Sequence, residues 1–363
     1  MQYYLMRLLF LTLLCTSLLP ISAQPYQLVW ADEFDYTGNL DTSKWFHQTK
    51  LPIPGSWYNG EIQHYTDRIE NTEVKNGVLH LTAIAETYTD QGVTKEHTSA
   101  RLNSKFTFTY GKVEVRAKLP TGVGTWPAIW MLGQNISEPG AYWQTKGYGT
   151  TPWPQCGEID IMEHWGHNQD YVSSAIHTPS SFGGTVNVGG RFITGVSDTF
   201  HVYEMEWTPD SIIFSVDGQV HYTYAPTVKD ADNWPFDDPQ YILMNVAILP
   251  TIDTNFTQSA MEVDYVRVYQ QQAPSGRAST STPTLRISPN PVQAIANLTF
   301  SAPLTKEVAL QLYDGMGKLV WSRIMLPASQ TVPLTGLGHL PTGLYQLLYR
   351  IDAKTYRTTL LKI

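Results

Sequence analysis

The sequence predicts an all-β protein: a large β-sandwich followed by a smaller one. Short runs rich in β-branched and aromatic residues recur between Gly, Pro, Asn and Asp turns, as in residues 77–83, 111–119 and 211–218. This spacing is typical of a sandwich or barrel. The sequence shows no amphipathic helical periodicity of any length. Asp217-Gly218 has the composition of a tight turn, which indicates a β-hairpin at that point.

The chain opens with the pattern of a secretory signal peptide at residues 1–23. Arg7 precedes an apolar run from Leu8 to Leu19, and Pro20 and small residues follow the run. A bilayer-spanning helix needs about 20 apolar residues, so this run is too short to span. We therefore expect a protein that is exported through the periplasm and then secreted or displayed at the cell surface.

Composition divides the remaining chain into two domains and a linker. Residues 24–271 contain 29 acidic and 14 basic residues and ten of the eleven Trp, whereas residues 285–363 contain 3 acidic and 8 basic residues and one Trp. Residues 272–284 have almost nothing apolar to bury, which is typical of a flexible linker. The acidity of the first domain argues against nucleic acid as a partner, because contacts to phosphates require Lys and Arg.

Three carboxylates fall within residues 158–163 of the first domain. Glu158 and Asp160 alternate with isoleucines, so both acids lie on one face of a strand. Glu163 breaks the alternation, and a β-bulge at positions 161–162 would return it to the same face. The acids would then form one row, in which two carboxyl groups can approach the separation of about 5 to 5.5 Å that a retaining glycosidase needs.

A solvated edge strand and a Ca²⁺ site are the alternatives for this acidic strand. Trp153 and Trp165 flank the acids, and a sugar-binding cleft needs such aromatic faces whereas a solvated strand does not. Ca²⁺ takes oxygen ligands that wrap around the ion, whereas a strand presents only one face. The stretch therefore favours a sugar cleft in which Glu158, Asp160 and Glu163 are the catalytic residues.

At these residues the chain resembles glycoside hydrolase family 16, whose catalytic motif has a bulged form similar to residues 158–163. The resemblance implies a concanavalin-like β-jelly-roll sandwich with a concave sugar-binding sheet, hydrolysis with retention, and no cofactor for catalysis. It also implies that Glu158 is the nucleophile and Glu163 the acid/base. Asp160 would help to keep Glu163 protonated and would orient Glu158.

Other segments extend the resemblance over nearly the whole first domain. Residues 57–66 resemble the laminarinase version of the family, residues 126–132 match a strand of the concave sheet, and residues 99–102, 175–178 and 264–269 follow in family order. The substrate-binding residues implied in this way are Trp57, Asn59, Glu61, Arg101, Trp126, Trp130, Trp153 and His177.

The resemblance predicts an endo-acting β-1,3-glucanase with a laminarin-like polysaccharide as its partner. Mixed-linkage glucan, agarose and carrageenan-type galactans are alternative substrates, and a non-catalytic, lectin-like glucan-binding protein is a further alternative. The negative charge of the domain disfavours sulfated galactans. Glu158 and Glu163 argue against a binding protein, which has no use for two mutually repelling acids.

A structural Ca²⁺ on the convex side is implied by the same resemblance. Its ligands would be Glu33, the backbone carbonyl of Gly77, and Asp264. Oxygen ligands suit this ion. The alternative is that the two acids are ordinary surface residues.

Residues 285–363 resemble the C-terminal sorting domain of type IX secretion cargo. The matching segments are 287–291, 310–318 and 340–345, followed by a basic end. The resemblance implies a small β-sandwich that has the secretion machinery as its partner. A carbohydrate-binding module is the alternative, but such modules cluster aromatic residues, and Trp321 stands nearly alone. For the whole protein we expect a monomer.

Overall fold

The computed structural model describes residues 26–271, 285–301, 308–325, 331–351 and 354–363. The predicted signal peptide at 1–23 and the predicted linker at 272–284 lie outside the described residues. The chain divides into two compact units, Met1–Pro274 and Ser275–Ile363, and this division falls within the segment that the sequence assigns to the linker.

The first unit is built almost entirely from strands, with a short 3₁₀ turn at Tyr58–Gly60. Its elements are β1 (Tyr26–Asp32), β2 (Trp45–His47), β3 (His64–Tyr65), β4 (Thr72–Lys75), β5 (Val78–Asp90), β6 (Val93–Ser99), β7 (Arg101–Phe108), β8 (Gly111–Lys118), β9 (Thr125–Gly133), α1 (Tyr142–Thr145), β10 (Glu158–His164), β11 (Tyr171–His177), β12 (Val188–Phe192), β13 (His201–Trp207), β14 (Ile212–Val216), β15 (Gln219–Tyr224), β16 (Gln240–Ile248) and β17 (Gln258–Gln271).

These strands form two sheets. The larger has ten strands in the order β15-β14-β13-β8-β17-β5-β6-β3, with β1 also paired to β17 and β4 to β5. The smaller has seven strands in the order β12-β11-β10-β9-β16-β7-β2. The main apolar core combines residues of both sheets, such as Val113 and Val115 of β8 with Ile129 and Met131 of β9. The predicted all-β sandwich is confirmed.

Side-chain alternation decides what each sheet face presents. In β9, Ile129 and Met131 are fully buried in the core. Trp130, which lies between them in sequence, and Trp126 are only half-buried and lie on the other face. This follows from the two-residue period of a strand. One face of the seven-stranded sheet therefore closes the core and the other is free to bind a ligand.

The predicted hairpin at Asp217-Gly218 is also confirmed. The two residues join β14 to β15, which pair with each other in antiparallel fashion. Asp217 has φ +50° and Gly218 has φ +72°. A two-residue turn with both central residues at positive φ matches the twist of the strands it joins.

The second unit is also made of strands, with a 3₁₀ turn at Leu337–His339. Its strands are β18 (Leu285–Ser288), β19 (Ala296–Phe300), β20 (Val308–Tyr313), β21 (Leu319–Met325), β22 (Thr331–Leu334), β23 (Gly343–Ile351) and β24 (Lys354–Lys362). They form a three-stranded sheet, β18-β19-β22, and a four-stranded sheet, β21-β20-β23-β24, which share one apolar core. Among the described residues of the whole chain, no helix has the length and apolar character needed to cross a membrane.

Candidate active site

The acidic strand β10 contains the predicted bulge. From Asp160 to Glu163, β10 advances three residues while its neighbour β11 advances only from Ala175 to Ser173. The register against β9 shifts at the same place. Ile161 and the residue after it are buried in the core, so the extra residue returns Glu163 to the face of the other two acids. The bulge that the sequence predicted is confirmed.

The three acids lie in a cleft on the outer face of the seven-stranded sheet. The cleft has a volume of about 460 Å³, and Glu158, Asp160 and Glu163 all line it. Trp126 and Trp130 of β9 line it as well, because both are on the outer face of their strand. Aromatic rings beside carboxyl groups match what a sugar needs, since a pyranose ring offers apolar C–H groups and polar hydroxyls.

Each outer acid of the row receives a hydrogen bond from a tryptophan. Trp153 Nε1 donates to Glu158 Oε2 at 2.8 Å, and Trp126 Nε1 donates to Glu163 Oε1 at 3.0 Å. His177 Nε2 lies 3.1 Å from Asp160 Oδ2 and 3.7 Å from Glu158 Oε1. The carboxyl groups are therefore held in place by rigid rings, and His177 contacts the first two acids of the row.

Burial raises the pKa of all three carboxyl groups. It raises the pKa of Asp160 to about 8. It also raises the pKa of Glu163 to about 8, and the charge of Asp160 adds to this rise. The pKa of Glu158 is raised well above its ordinary value by burial and then by the charge of Asp160, whereas His177 and the Trp153 hydrogen bond oppose the rise. The three groups titrate as one cluster that retains protons at neutral pH.

Most of the predicted substrate-binding residues meet in this cleft. Those that line it are Asn59, Glu61, Arg101, Trp126, Trp130 and Trp153. Trp153 is 40% exposed. His177 is 8% exposed and lies against the acids rather than along the cleft wall.

Trp57 does not lie where the resemblance placed it. It is 1% exposed and packs in a small apolar cluster with Leu51 and Tyr65. Its ring supports the Arg101 guanidinium, whose carbon lies 5.3 Å from the ring centroid. Trp57 therefore has almost no surface for a sugar, and its place is beneath a residue that lines the cleft. Burial of this large ring is favourable, because it removes apolar surface from water.

Arg101 is held by a partner that the sequence did not identify. Its Nη2 donates to both oxygens of Glu138 at 2.9 and 3.2 Å, and its Nε donates to Gln48 Oε1 at 3.1 Å. The guanidinium carbon of Arg101 also lies 4.8 Å from the centroid of the Trp130 ring. Arg101 is 4% exposed and Glu138 is 8% exposed, so each charge is neutralised by the other.

A second polar chain links the cleft wall to Glu61. Trp130 Nε1 donates to Asn245 Oδ1 at 2.7 Å, and Asn245 Nδ2 donates to Tyr65 OH at 3.0 Å. Tyr65 in turn donates to Glu61 Oε2 at 2.8 Å. Burial raises the pKa of Glu61. This chain fixes the orientation of Trp130 in the cleft.

Sequence reasoning missed several residues of the cleft. Tyr58 and Glu138 line it, and so does Asn245. Tyr58 could have been found from the sequence, because it is an aromatic residue inside the motif at residues 57–66. For Glu138 the only signal was that a buried Arg101 must have an acidic partner, and this does not say which acid.

The two acids predicted to bind calcium are each paired with an arginine. Arg267 donates to Glu33 Oε1 at 2.8 Å and to Oε2 at 2.7 Å, and Arg116 donates to Asp264 Oδ2 at 2.6 Å. Within the described parts of the chain, the converging group of three metal-ligand side chains consists of Glu158, Asp160 and His177. The acids expected to hold calcium are already neutralised by arginines, so they do not fit the ion as placed.

A sandwich with a row of buried carboxyl groups on the floor of an aromatic cleft defines the class of protein as a glycoside hydrolase. The chain belongs to the glycosyl hydrolases family 16, whose family model matches residues 59–267.

Relatives and solved structures agree with this assignment. A β-glucanase from Rhodothermus marinus is 42% identical over 265 residues, which are 68% of this chain and 86% of that protein. A glucan endo-1,3-β-glucosidase A1 from Niallia circulans is 36% identical over 271 residues, or 68% of this chain and 38% of that protein. The structure also resembles a LamA variant from Zobellia galactanivorans in complex with laminaritriose and laminaritetraose, with TM-score 0.62, 45% identity, and coverage of 67% of this chain and 98% of that chain.

Proposed function

We propose that this glycoside hydrolase is an endo-β-1,3-glucanase that cleaves internal bonds of laminarin-like glucans with retention of configuration. The observation that carries the proposal is the bulged strand β10, which sets Glu158, Asp160 and Glu163 in one row along the cleft floor. The names of the similar proteins support the glucan as substrate.

In the first step, Glu158 attacks the anomeric carbon while Glu163 protonates the departing glycosidic oxygen. A carboxyl group with a pKa of about 8 keeps its proton at neutral pH, as a general acid must. Glu158 must lose its proton to solvent water before it attacks. The N–H of Trp153 and the imidazole of His177 both lie against it and stabilise its anion. The step forms a covalent glycosyl ester and releases the rest of the polymer as an alcohol.

In the second step, Glu163 accepts a proton from water, which attacks the glycosyl ester and frees Glu158. Asp160 lies between the two glutamates in the row. Whenever Asp160 is ionised, its charge raises the pKa of Glu163, which helps to restore the proton at the end of the cycle. Trp126 remains hydrogen-bonded to Glu163 and keeps its carboxyl group aligned.

We expect the purified protein to release oligosaccharides from laminarin faster than from agarose or carrageenan. The cleft is lined by neutral aromatic rings and acids, and Arg101, which lines it, is already paired with Glu138, so the cleft offers little to the sulfate groups of carrageenan. The preference over agarose, which is neutral, is supported by the similarity to glucanases. Reducing-sugar release from a panel of pure polysaccharides, including a mixed-linkage glucan, measures this preference. Faster release from a galactan would overturn the choice of substrate.

For the rest of the chain, we infer export by a signal peptide at 1–23 and sorting of the protein through residues 285–363 by the type IX secretion machinery. The described part of residues 285–363 forms a separate pair of sheets, and the acids that line the cleft all belong to the first unit. A separate unit whose described residues contribute no acid to the cleft suits a sorting role. We take the exported protein to be a monomer.

Ending the chain after residue 272 should leave glucanase activity intact and stop surface display or release. The first unit keeps its own core and the whole cleft, so catalysis should survive the truncation. Activity in cell fractions from the native host, compared with the full-length protein, tests both halves of this prediction. Normal export of the truncated protein would show that residues 285–363 are not a sorting signal.

We do not propose a structural calcium ion at Glu33, Gly77 and Asp264. Both acids already have arginine partners, and no catalytic step depends on the ion.

A further inference from the structure

The bulge in β10 contains one residue without a counterpart. Ile161 is paired with no residue of β9 and with no residue of β11 in the two registers. The whole residue is 2% exposed, so its backbone is buried as well as its side chain. A buried carbonyl at such a place needs a hydrogen-bond donor. The position of the bulge therefore depends on which group supplies the donor.

Ser174 of β11 supplies that donor. Its Oγ donates to the Ile161 carbonyl oxygen at 2.8 Å, and the side chain is fully buried. Ser174 lies on the inner face of its strand, between Val172 and Ile176 of the core. It therefore acts from beneath the sheet, on the side opposite the cleft.

His221 completes the arrangement from the other sheet. Its Nε2 lies 2.8 Å from Ser174 Oγ. A hydroxyl group has a single proton, and Ser174 gives its proton to a carbonyl, so His221 must be the donor in this second bond. His221 belongs to β15 of the ten-stranded sheet, whereas Ser174 belongs to the seven-stranded sheet. The contact therefore crosses the sandwich.

The imidazole of His221 has one suitable protonation form. Burial lowers its pKa to about 4, and the charge of Arg191 adds to this effect. His221 is thus neutral at working pH. Its proton lies on Nε2, since its Nδ1 is buried and has no hydrogen-bond partner in the described part of the chain. The donor to Ser174 is therefore permanently available.

We propose that Ser174 and His221 are positioning residues that fix the bulge of β10 at Ile161 and so present Glu163 to the glycosidic oxygen. The proposal rests on the proposed function. A strand that slips by one residue turns its side chains to the opposite face. A donor aimed at one carbonyl specifies where the extra residue is placed. Neither residue lines the cleft, so both act through the backbone.

The effect of losing this support should be confined to the proton transfer by Glu163. Cleavage of laminarin requires that proton, whereas an aryl β-laminaribioside with an activated leaving group does not require it in the first step. The ratio kcat/KM reports on steps up to the first irreversible one, so the later hydrolysis of the ester does not mask the difference. A misplacement of about 1 Å costs as much as about 10²-fold in rate.

The test compares Ser174→Ala with Ser104→Ala. Ser104 is also fully buried in the seven-stranded sheet, donates to the Phe106 carbonyl at 2.8 Å and accepts from the Ile242 N–H at 3.0 Å. Both substitutions should lower the melting temperature by similar amounts. Only Ser174→Ala should lower kcat/KM for laminarin by about 10-fold to 100-fold while changing the aryl substrate less than about threefold. It should also shift the alkaline limb of the pH profile for laminarin.

Two variants of His221 test the same proposal if Ser174→Ala fails to fold. His221→Leu removes the donor and should reproduce the selective loss on laminarin. His221→Gln keeps an N–H donor and should recover most of the activity. The proposal would be overturned if Ser174→Ala and His221→Leu lowered kcat/KM equally for laminarin and for the aryl substrate. It would also be overturned if both variants left the ratio of these two kcat/KM values at its wild-type level. A wild-type protein that is inactive on laminarin but active on another polysaccharide would instead overturn the proposed function.

Discussion

Replacing Glu163 with alanine should reduce laminarin hydrolysis by about 10²-fold to 10⁴-fold, the usual contribution of general acid–base catalysis. The first step on an activated aryl β-glycoside should survive, because its leaving group needs no proton and Glu158 still attacks. Hydrolysis of the glycosyl ester should become slow, because water has lost its base. A burst of aryl alcohol followed by slow turnover is the expected time course.

Azide should restore turnover of the aryl glycoside in Glu163→Ala, because this small anion attacks the ester without a base. The product should be a glycosyl azide with the β configuration, since two successive inversions give retention. Nuclear magnetic resonance of the isolated azide identifies the anomer. An α azide from this variant would show that the roles of Glu158 and Glu163 are reversed.

Replacing Glu158 with alanine should abolish hydrolysis of both substrates, with a loss on the order of 10⁴-fold or more as expected when a nucleophile is removed. No glycosyl ester can form, so neither a good leaving group nor the intact Glu163 rescues the first step. Steady-state rates on laminarin and on the aryl glycoside measure the loss. Retained aryl activity in Glu158→Ala would contradict the assignment of the nucleophile.

The matched control for both glutamate variants is Glu262→Ala. Glu262 lies on β17 in the ten-stranded sheet, where it pairs with Lys118 at 2.9 Å. The substitution Glu262→Ala removes a glutamate carboxylate on the sheet that does not form the cleft, so activity on both substrates should remain at the wild-type level. A surface ion pair of this kind contributes little to stability, about 0–1 kcal/mol. Melting curves of all three variants show whether any loss of activity reflects unfolding.

The sequence by itself determined the sandwich and the row of acids. A strand places alternate residues on one face, so the spacing of Glu158 and Asp160 fixed their common side. The irregular position of Glu163 then favoured an extra residue in the strand over a carboxyl group pointing into the core, and the bulge is found at that place. The turn at Asp217-Gly218 was predictable for the same reason, because it depends on the backbone preferences of two adjacent residues.

Only the tertiary structure decided which distant residues support this row. Arg101 pairs with Glu138, and Ser174 contacts His221 across the sandwich. These partners lie on strands whose order in the sheets follows from packing of the whole core, and no local spacing encodes that order. Composition showed that acids were plentiful, but it did not show which of them would meet a given arginine.

Local sequence does not encode which distant residues meet, and this explains why the resemblance placed some residues wrongly. Trp57 belongs to a sugar-binding motif in sequence, yet its ring is buried beneath Arg101. Glu33 and Asp264 match calcium ligands in sequence, yet each has an arginine within hydrogen-bonding distance. Side-chain periodicity determines the face on which a residue lies. Burial and charge pairing depend on what the fold brings against that face, and only the assembled sandwich determines this.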